Sequence, residues 1–136
     1  MLSTRMRDVL AAIMQRFPAD TGTIHRREGD LLLLEAEVGL PAAVVELVRR
    51  VPIGKGMAGL AAERNQPVSS CNIQVDATGD VRPGARQTGV NGAIVVPIRD
   101  AGGTVRGTLG IGVHRAYEYD AAEVARLLDE AGRIRF

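Results

Sequence analysis

The stretch Gly54–Gly59, GKGMAG, spaces its glycines as G-x-G-x-x-G, and Lys55 lies inside it where a phosphate could be met. Dinucleotide-binding turns use this spacing, with an acid about twenty residues on for the ribose, and Asp76 stands near that distance. The context argues against that chemistry. A dinucleotide site needs a long buried strand before the glycines and a helix that returns to a parallel strand. Here the glycines follow only VPI, with Pro52 unable to donate to a ladder. The helix after them is short for a parallel crossover, and VSSCNIQVD is too polar to be buried on both faces. A phosphate-binding P-loop fails too, because Arg49 and Gly56 occupy the positions it reserves for Gly and Ser or Thr. The glycines instead suit a sharp strand-to-helix corner, with Gly59 bare where the helix meets the sheet.

Few other residues carry chemistry. Cys71 is the sole cysteine, so the chain has no internal disulfide and no cysteine metal cluster. It reads as a small half-buried strand residue; the alternative is an oxidisable thiol facing a pocket. His25 and His114 each sit in an expected strand beside an arginine, as partly exposed residues rather than metal ligands. Asp76, Asp80, Arg82 and Arg86 fall in one long loop. They are either solvated surface or, for Arg82 and Arg86, a forked clamp on an anionic ligand. Asn72 and Asn91 bracket that loop. No nucleophile–base set or carboxylate pair stands out, so no catalysis is expected.

The elements around these residues follow from periodicity. Ser3 or Thr4 caps a helix whose stripe is Met6, Val9, Leu10, Ile13, Met14 and Phe17, ending at Pro18. Residues 23–27 and the run LLLLEAEVG form a hairpin about Glu28-Gly29-Asp30, with the leucines buried on both faces. Pro41 opens a second helix lined by Val44, Leu47, Val48 and Val51. A third, short helix runs to Gln66-Pro67, and VSSCNI is a strand. Residues 74–91 look like a lid or mobile loop. A hairpin follows, 93–98 with 105–113, in which Val105, Gly107, Leu109, Ile111 and Val113 share one face. Asp120 and Glu123 make a capping box for a last helix striped by Val124, Leu127, Leu128 and Ala131. This order predicts an α+β domain, an antiparallel sheet of five or six strands flanked by helices.

Composition narrows function further. The 136 residues make one domain, expected to bury roughly two thirds of its unfolded surface. With 17 basic and 16 acidic residues the net charge is +1, and aromatic residues are scarce, so no nucleic acid is expected as partner. No apolar run is long enough to span a membrane, so no membrane is expected either. The N-terminal arginines, Arg5, Arg7 and Arg16, resemble an organellar presequence, but a plain N-terminal helix accounts for them. A cytoplasmic, reducing compartment is the default.

VPIGKGMAGLAAERNQPV, followed after the loop by IVVPIRDAGGTVRGTLGIGV, resembles a GAF domain. The likeness spans residues 23–128 and rests on the order and spacing of motifs that are each loose. It implies a PAS- and profilin-like sheet: N-terminal helix 1–18, sheet core 19–119 with ligand loop 74–91, and C-terminal helix 120–136. It implies a small-molecule sensory or regulatory module without catalysis, dimeric through its terminal helices, with no cofactor that the residues identify. The pocket is expected between sheet and loop, at Cys71, Asn72, Asp76, Arg82, Arg86, Asn91, Ile94 and Val96. A dimerisation or interaction module with a vestigial pocket is the second reading. The third is a free methionine-R-sulfoxide reductase, whose corner carries a cysteine where this chain has Ala58 and which needs a resolving thiol this chain lacks. The cyclic-nucleotide signature N-K-F-D-E is absent, and Asn72 follows Cys71 where bilin-binding members often have His. The sequence contains no kinase, diesterase or DNA-binding segment, so output is expected through a partner, a dimer rearrangement or a larger protein.

Overall fold

A computed structural model describes residues 2–74, 80 and 89–136. The chain runs α1 (Thr4–Met14), β1 (Thr21–Glu28), β2 (Leu31–Val38), α2 (Ala42–Val48), β3 (Arg50–Pro52), α3 (Gly56–Arg64), β4 (Val68–Ser70), β5 (Gly92–Arg99), β6 (Val105–Val113) and α4 (Ala121–Gly132). The strands form a sheet in the order β3-β2-β1-β6-β5-β4, and every neighbouring pair is antiparallel. No βαβ unit exists among these strands. Pro52 sits on the edge strand β3, where a missing N–H costs no ladder bond on the outer side. From that edge, α3 carries the chain to β4 at the opposite edge.

One face of the sheet is packed by the terminal helices. Ile24, Ile94, Val96, Ile98, Leu109 and Ile111 meet Met6, Leu10 and Ile13 of α1 and Leu127 and Ala131 of α4 in a single buried core. Both helices are set by their caps. Ser3 Oγ accepts from Met6 N at 3.1 Å, and Ser3 N donates to Glu35 O, tying the start of α1 to β2. At α4, Asp120 and Glu123 form the expected reciprocal box, reinforced by the Tyr117 hydroxyl on Glu123. The arginine-rich N-terminal segment is therefore an integral helix of the domain.

Two bulges send apolar residues to the opposite face. Ile24 pairs with Ala36 but His25 with Leu34, so Glu35 is an extra residue in β2. Ala36 then belongs to the helix-packed core, while Leu32 joins Val51, Ala62 and Val105 on the other side. Leu31 and Leu33 are half-buried, so the leucine run is not buried on both faces as expected. Likewise Ile98 pairs with Gly107 but Arg99 with Val105, leaving Arg106 extra. Val105 thus does not share a face with Leu109 and Ile111; the bulge inverts its parity. The second face is roofed by α2 and α3 and the chain on either side of residues 75–88.

Candidate functional site

The glycine corner builds one wall. Gly54 and Gly56 adopt φ of 89° and 64°, which other residues reach only with strain, and Lys55 between them is extended. Gly54 N donates to Gly59 O at 2.8 Å, closing the corner on itself. A side chain on Gly59 would collide with the Pro52 carbonyl, so that glycine is bare for the corner's own backbone rather than for the sheet behind it. The corner's product is the first turn of α3, whose Gly56, Met57 and Ala58 border a cavity, with Lys55 exposed at its rim.

The cavity measures about 400 Å³. Its floor is the sheet: Thr21 and Thr23 of β1, Ala93 and Val95 of β5, and Gly110 and Gly112 of β6. These small residues alternate with the large ones of the packed face, as strand geometry requires. Gly112 is also held small by its neighbours, since a Cβ there would lie 2.6 Å from Val90 Cγ1. Opposite, α2 turns its apolar stripe to the void: Val44 is 2% exposed, Val48 is half-buried and Leu47 is 53% exposed at the mouth. Ile73 and Val90, which flank the long loop and are both buried, close one end.

Two buried polar side chains, Thr21 and His25, line this apolar space. His25 is 2% exposed, not partly exposed as its sequence neighbours suggested, because its strand carries α2 above it. Its Nε2 lies 2.8 Å from Val48 O. A carbonyl only accepts, so the proton resides on Nε2 and Nδ1 is left as a bare acceptor. Nδ1 has no hydrogen-bond partner, a condition that typically costs about 1–3 kcal/mol in a buried site. Burial lowers the His25 pKa below its ordinary value, and the bond to Val48 opposes that in part, so the ring is neutral at pH 7.

The residues expected at the site are only partly assembled there. Ile94 and Val96 are corrected: both lie in the core under α1 and α4, and the cavity is lined instead by their neighbours Ala93 and Val95. A one-residue step along a strand changes the face, and bulk marks the packed side. Cys71 is exposed just beyond β4 and is absent from the lining, so it is neither a half-buried strand residue nor a thiol facing the cavity. Asn72 and Asn91 do come together, but as a clasp on the loop base. Asn72 Oδ1 accepts from Gln74 N at 3.1 Å and from Asn91 Nδ2 at 3.4 Å, while Ile73 N donates to Asn91 O. Asp76, Arg82 and Arg86 lie outside the described residues. Asp80 accepts from Arg64 at 3.1 Å. His114 is exposed past the end of β6. Among the described residues no group of His, Cys, Asp or Glu could hold a metal ion, and no helix is long and apolar enough to cross a membrane.

Comparison with known proteins fits this architecture. Three solved structures share it at low identity. The GAF domain of a phosphoenolpyruvate-protein phosphotransferase from Coxiella burnetii is 23% identical, with a TM-score of 0.75 over 93% of this chain and 75% of that one. A type II free methionine-R-sulfoxide reductase from Thermoplasma acidophilum is 20% identical, with a TM-score of 0.73 over 94% and 85%. A GAF domain region from Geobacter sulfurreducens PCA is 17% identical, with a TM-score of 0.79 over 95% and 87%. No curated protein matches the sequence. The GAF domain family model matches residues 2–132, nearly the whole chain, and this protein belongs to that family.

Proposed function

We propose that this domain is a small-molecule-binding sensory or regulatory module with no catalysis of its own. The cavity carries the reading. At about 400 Å³ it exceeds the roughly 300 Å³ at which ligand pockets begin, and its walls are apolar with few polar groups. A vestigial interaction module would have filled that space with side chains, as the opposite face of the same sheet is filled. The reductase reading draws on the Thermoplasma neighbour, but here Ala58 contributes a methyl group to the lining and Cys71 is outside it.

A cytoplasmic homodimer completes the proposal, with one qualification on how it forms. The stripes of α1 and α4 are consumed by their own sheet, so pairing would use the helices' outer faces, where Ala11, Ala12 and Gln15 are exposed. Native mass spectrometry of freshly purified protein tests the binding claim. A retained small molecule, lost in Val95→Phe, is the expected result. No retained mass, together with no thermal stabilisation by any member of a broad metabolite library, would defeat it.

A further inference from the structure

Two threonine–glycine pairs lie side by side on the cavity floor. Thr21 of β1 is paired with Gly112 of β6, and Thr23 with Gly110. All four residues line the cavity, and their spacing puts both threonines on one face of β1. Their hydroxyls lean across to β6: a Cβ on Gly112 would lie 3.2 Å from Thr21 Oγ1, and one on Gly110 would lie 3.0 Å from Thr23 Oγ1. Among the described residues neither hydroxyl has a hydrogen-bond partner, and neither is sealed, since the unpartnered polar atoms closed off from all solvent are His25 Nδ1 and Thr108 Oγ1. Thr21 is only 5% exposed as a residue, so the surface its hydroxyl keeps is surface of the cavity. Such a hydroxyl has lost most of its water and gained no protein partner, a cost that valine, of nearly the same shape, would not carry. The glycines of β6 differ in cause. Gly112 is held small by Val90, and Gly107 by the His25 carbonyl and the Phe136 ring. At Gly110 a Cβ would press only on the Thr23 and Val95 side chains, and the nearest backbone atom, Ile94 O, would be at an ordinary 3.8 Å. A glycine inside a strand that no neighbouring backbone demands marks a place where a ligand approaches the chain closely.

We propose that Thr21 and Thr23 are the specificity-determining residues of this cavity, and that its ligand is a flat ring system lying on Gly110 with hydrogen-bonding groups along the edge turned to β1. This rests on the sensory reading above and adds the chemical class. Successive positions on one face of a strand stand roughly 6.5–7 Å apart, so the two hydroxyls address two points of one molecular edge rather than a single atom. Each hydroxyl can donate or accept, so carbonyl and N–H groups can both be met. A planar body gains contact with the bare backbone of the glycine over its whole area, whereas a puckered one is held off it and forfeits part of that attraction.

Three probes separate shape from hydrogen bonding. Quinazoline-2,4-dione is flat with a polar edge, octahydroquinazoline-2,4-dione keeps that edge on a puckered frame, and naphthalene keeps the flatness without the edge. In titration calorimetry the flat dione should bind more tightly than its octahydro form. Thr21→Val and Thr23→Val should each weaken the dione relative to naphthalene by about three- to tenfold, the effect of one hydrogen bond, and Thr21→Ser, which keeps the hydroxyl, should restore the preference. Gly110→Ala should erase the advantage of the flat dione over the puckered one. Urea midpoints of the two valine variants should equal or exceed that of the unaltered protein, an outcome that a merely structural hydroxyl would not give. A dione-to-naphthalene ratio unchanged in both valine variants, an octahydro form that binds as tightly as the flat one, or valine variants that lose stability would each overturn the assignment while leaving a small-molecule cavity in place. Binding of none of the three probes also overturns it, and a molecule retained in native mass spectrometry then separates a wrong ligand class from a wrong function.

Discussion

The two faces of the sheet use alternate residues of the same three central strands and reach opposite ends. On β5 and β6 the odd and even positions divide into Ile94, Val96, Leu109 and Ile111 on one side and Ala93, Val95, Gly110 and Gly112 on the other. The first set interdigitates with α1 and α4 and leaves its members at most 3% exposed. The second set lies beneath α2 and α3 but does not fill the gap, and a cavity of about 400 Å³ results. Amphipathic stripes exist on helices of both layers, so helix amphipathicity alone does not distinguish support from function. The distinction is made by side-chain volume on the sheet: where large residues meet a stripe the layer closes, and where small ones meet it the layer holds a void.

This contrast makes its largest prediction for truncation. Leu109→Ala removes a side chain surrounded on all sides and should cost about 2–5 kcal/mol. Val44→Ala removes a side chain almost as buried, but with the cavity on one flank, so part of its packing was never made. It should cost about 1 kcal/mol, well below the usual core range. Urea midpoints at constant m compare the two. Similar losses would mean that the α2 layer is as closed as the α1 and α4 layer.

Enlargement inverts the comparison at neighbouring positions. Val96→Phe forces volume into the filled face and should destabilise by about 1–3 kcal/mol. Val95→Phe points the same ring into the cavity and should change stability by less than about 1 kcal/mol, while abolishing retention of small molecules. If both variants lose the same stability, the floor and the packed face have been assigned to the wrong parity.

Acid should act on the cavity face through His25. Its folded pKa is lowered by burial, so below the ordinary value near 6.5 the unfolded chain takes up a proton that the folded chain resists. Unfolding is therefore favoured as pH falls, and the associated stability, fully present above pH 6.5, should decline by about 1.4 kcal/mol per pH unit until the folded ring also titrates. Thermal midpoints between pH 7.5 and 5.5 should fall accordingly, and His25→Phe should flatten that part of the profile. An unchanged slope in the variant would assign the dependence elsewhere.

How far the sequence carried these conclusions differs between the two faces. The terminal helices, their stripes, the capping box and both hairpins were readable, because each depends on local period or on one capping pair. The glycine corner was readable as architecture from Pro52 and from the shortness of the helix that the corner opens. The floor was not identified, although its signal is present in VRGTLGIGV: Gly110 and Gly112 alternate with Leu109, Ile111 and Val113. Reading large apolar residues as ligand contacts selected Ile94 and Val96, the residues that packing had already claimed. The burial of His25 was hidden for a different reason. Neighbouring arginines describe the chain, whereas burial here is imposed by α2, which packs over it from beyond β2. The bulge at Glu35 had no local marker at all; it is a property of the pairing between β1 and β2.

The smallest effect is expected at Leu47. It is one of the two large apolar side chains that stand exposed among the described residues, and it does so at the cavity mouth, on the helix whose inner residues Val44 and Val48 face the void. Exposed apolar residues are common and usually need no explanation, and a surface substitution commonly changes stability by no more than about 0.5 kcal/mol. Leu47→Gln should therefore leave the urea midpoint unchanged. A ligand that fills the cavity to its rim would cover that side chain, and the apolar area then removed from water is lost in the glutamine variant, at roughly 25 cal/mol per Å². Affinity for a small molecule that the cavity retains should fall by a few-fold, with the loss expressed mainly as faster dissociation. A measurable loss of folding stability instead would mean that Leu47 already packs on its own domain, and the open side of the sheet would then end at Val44 and Val48.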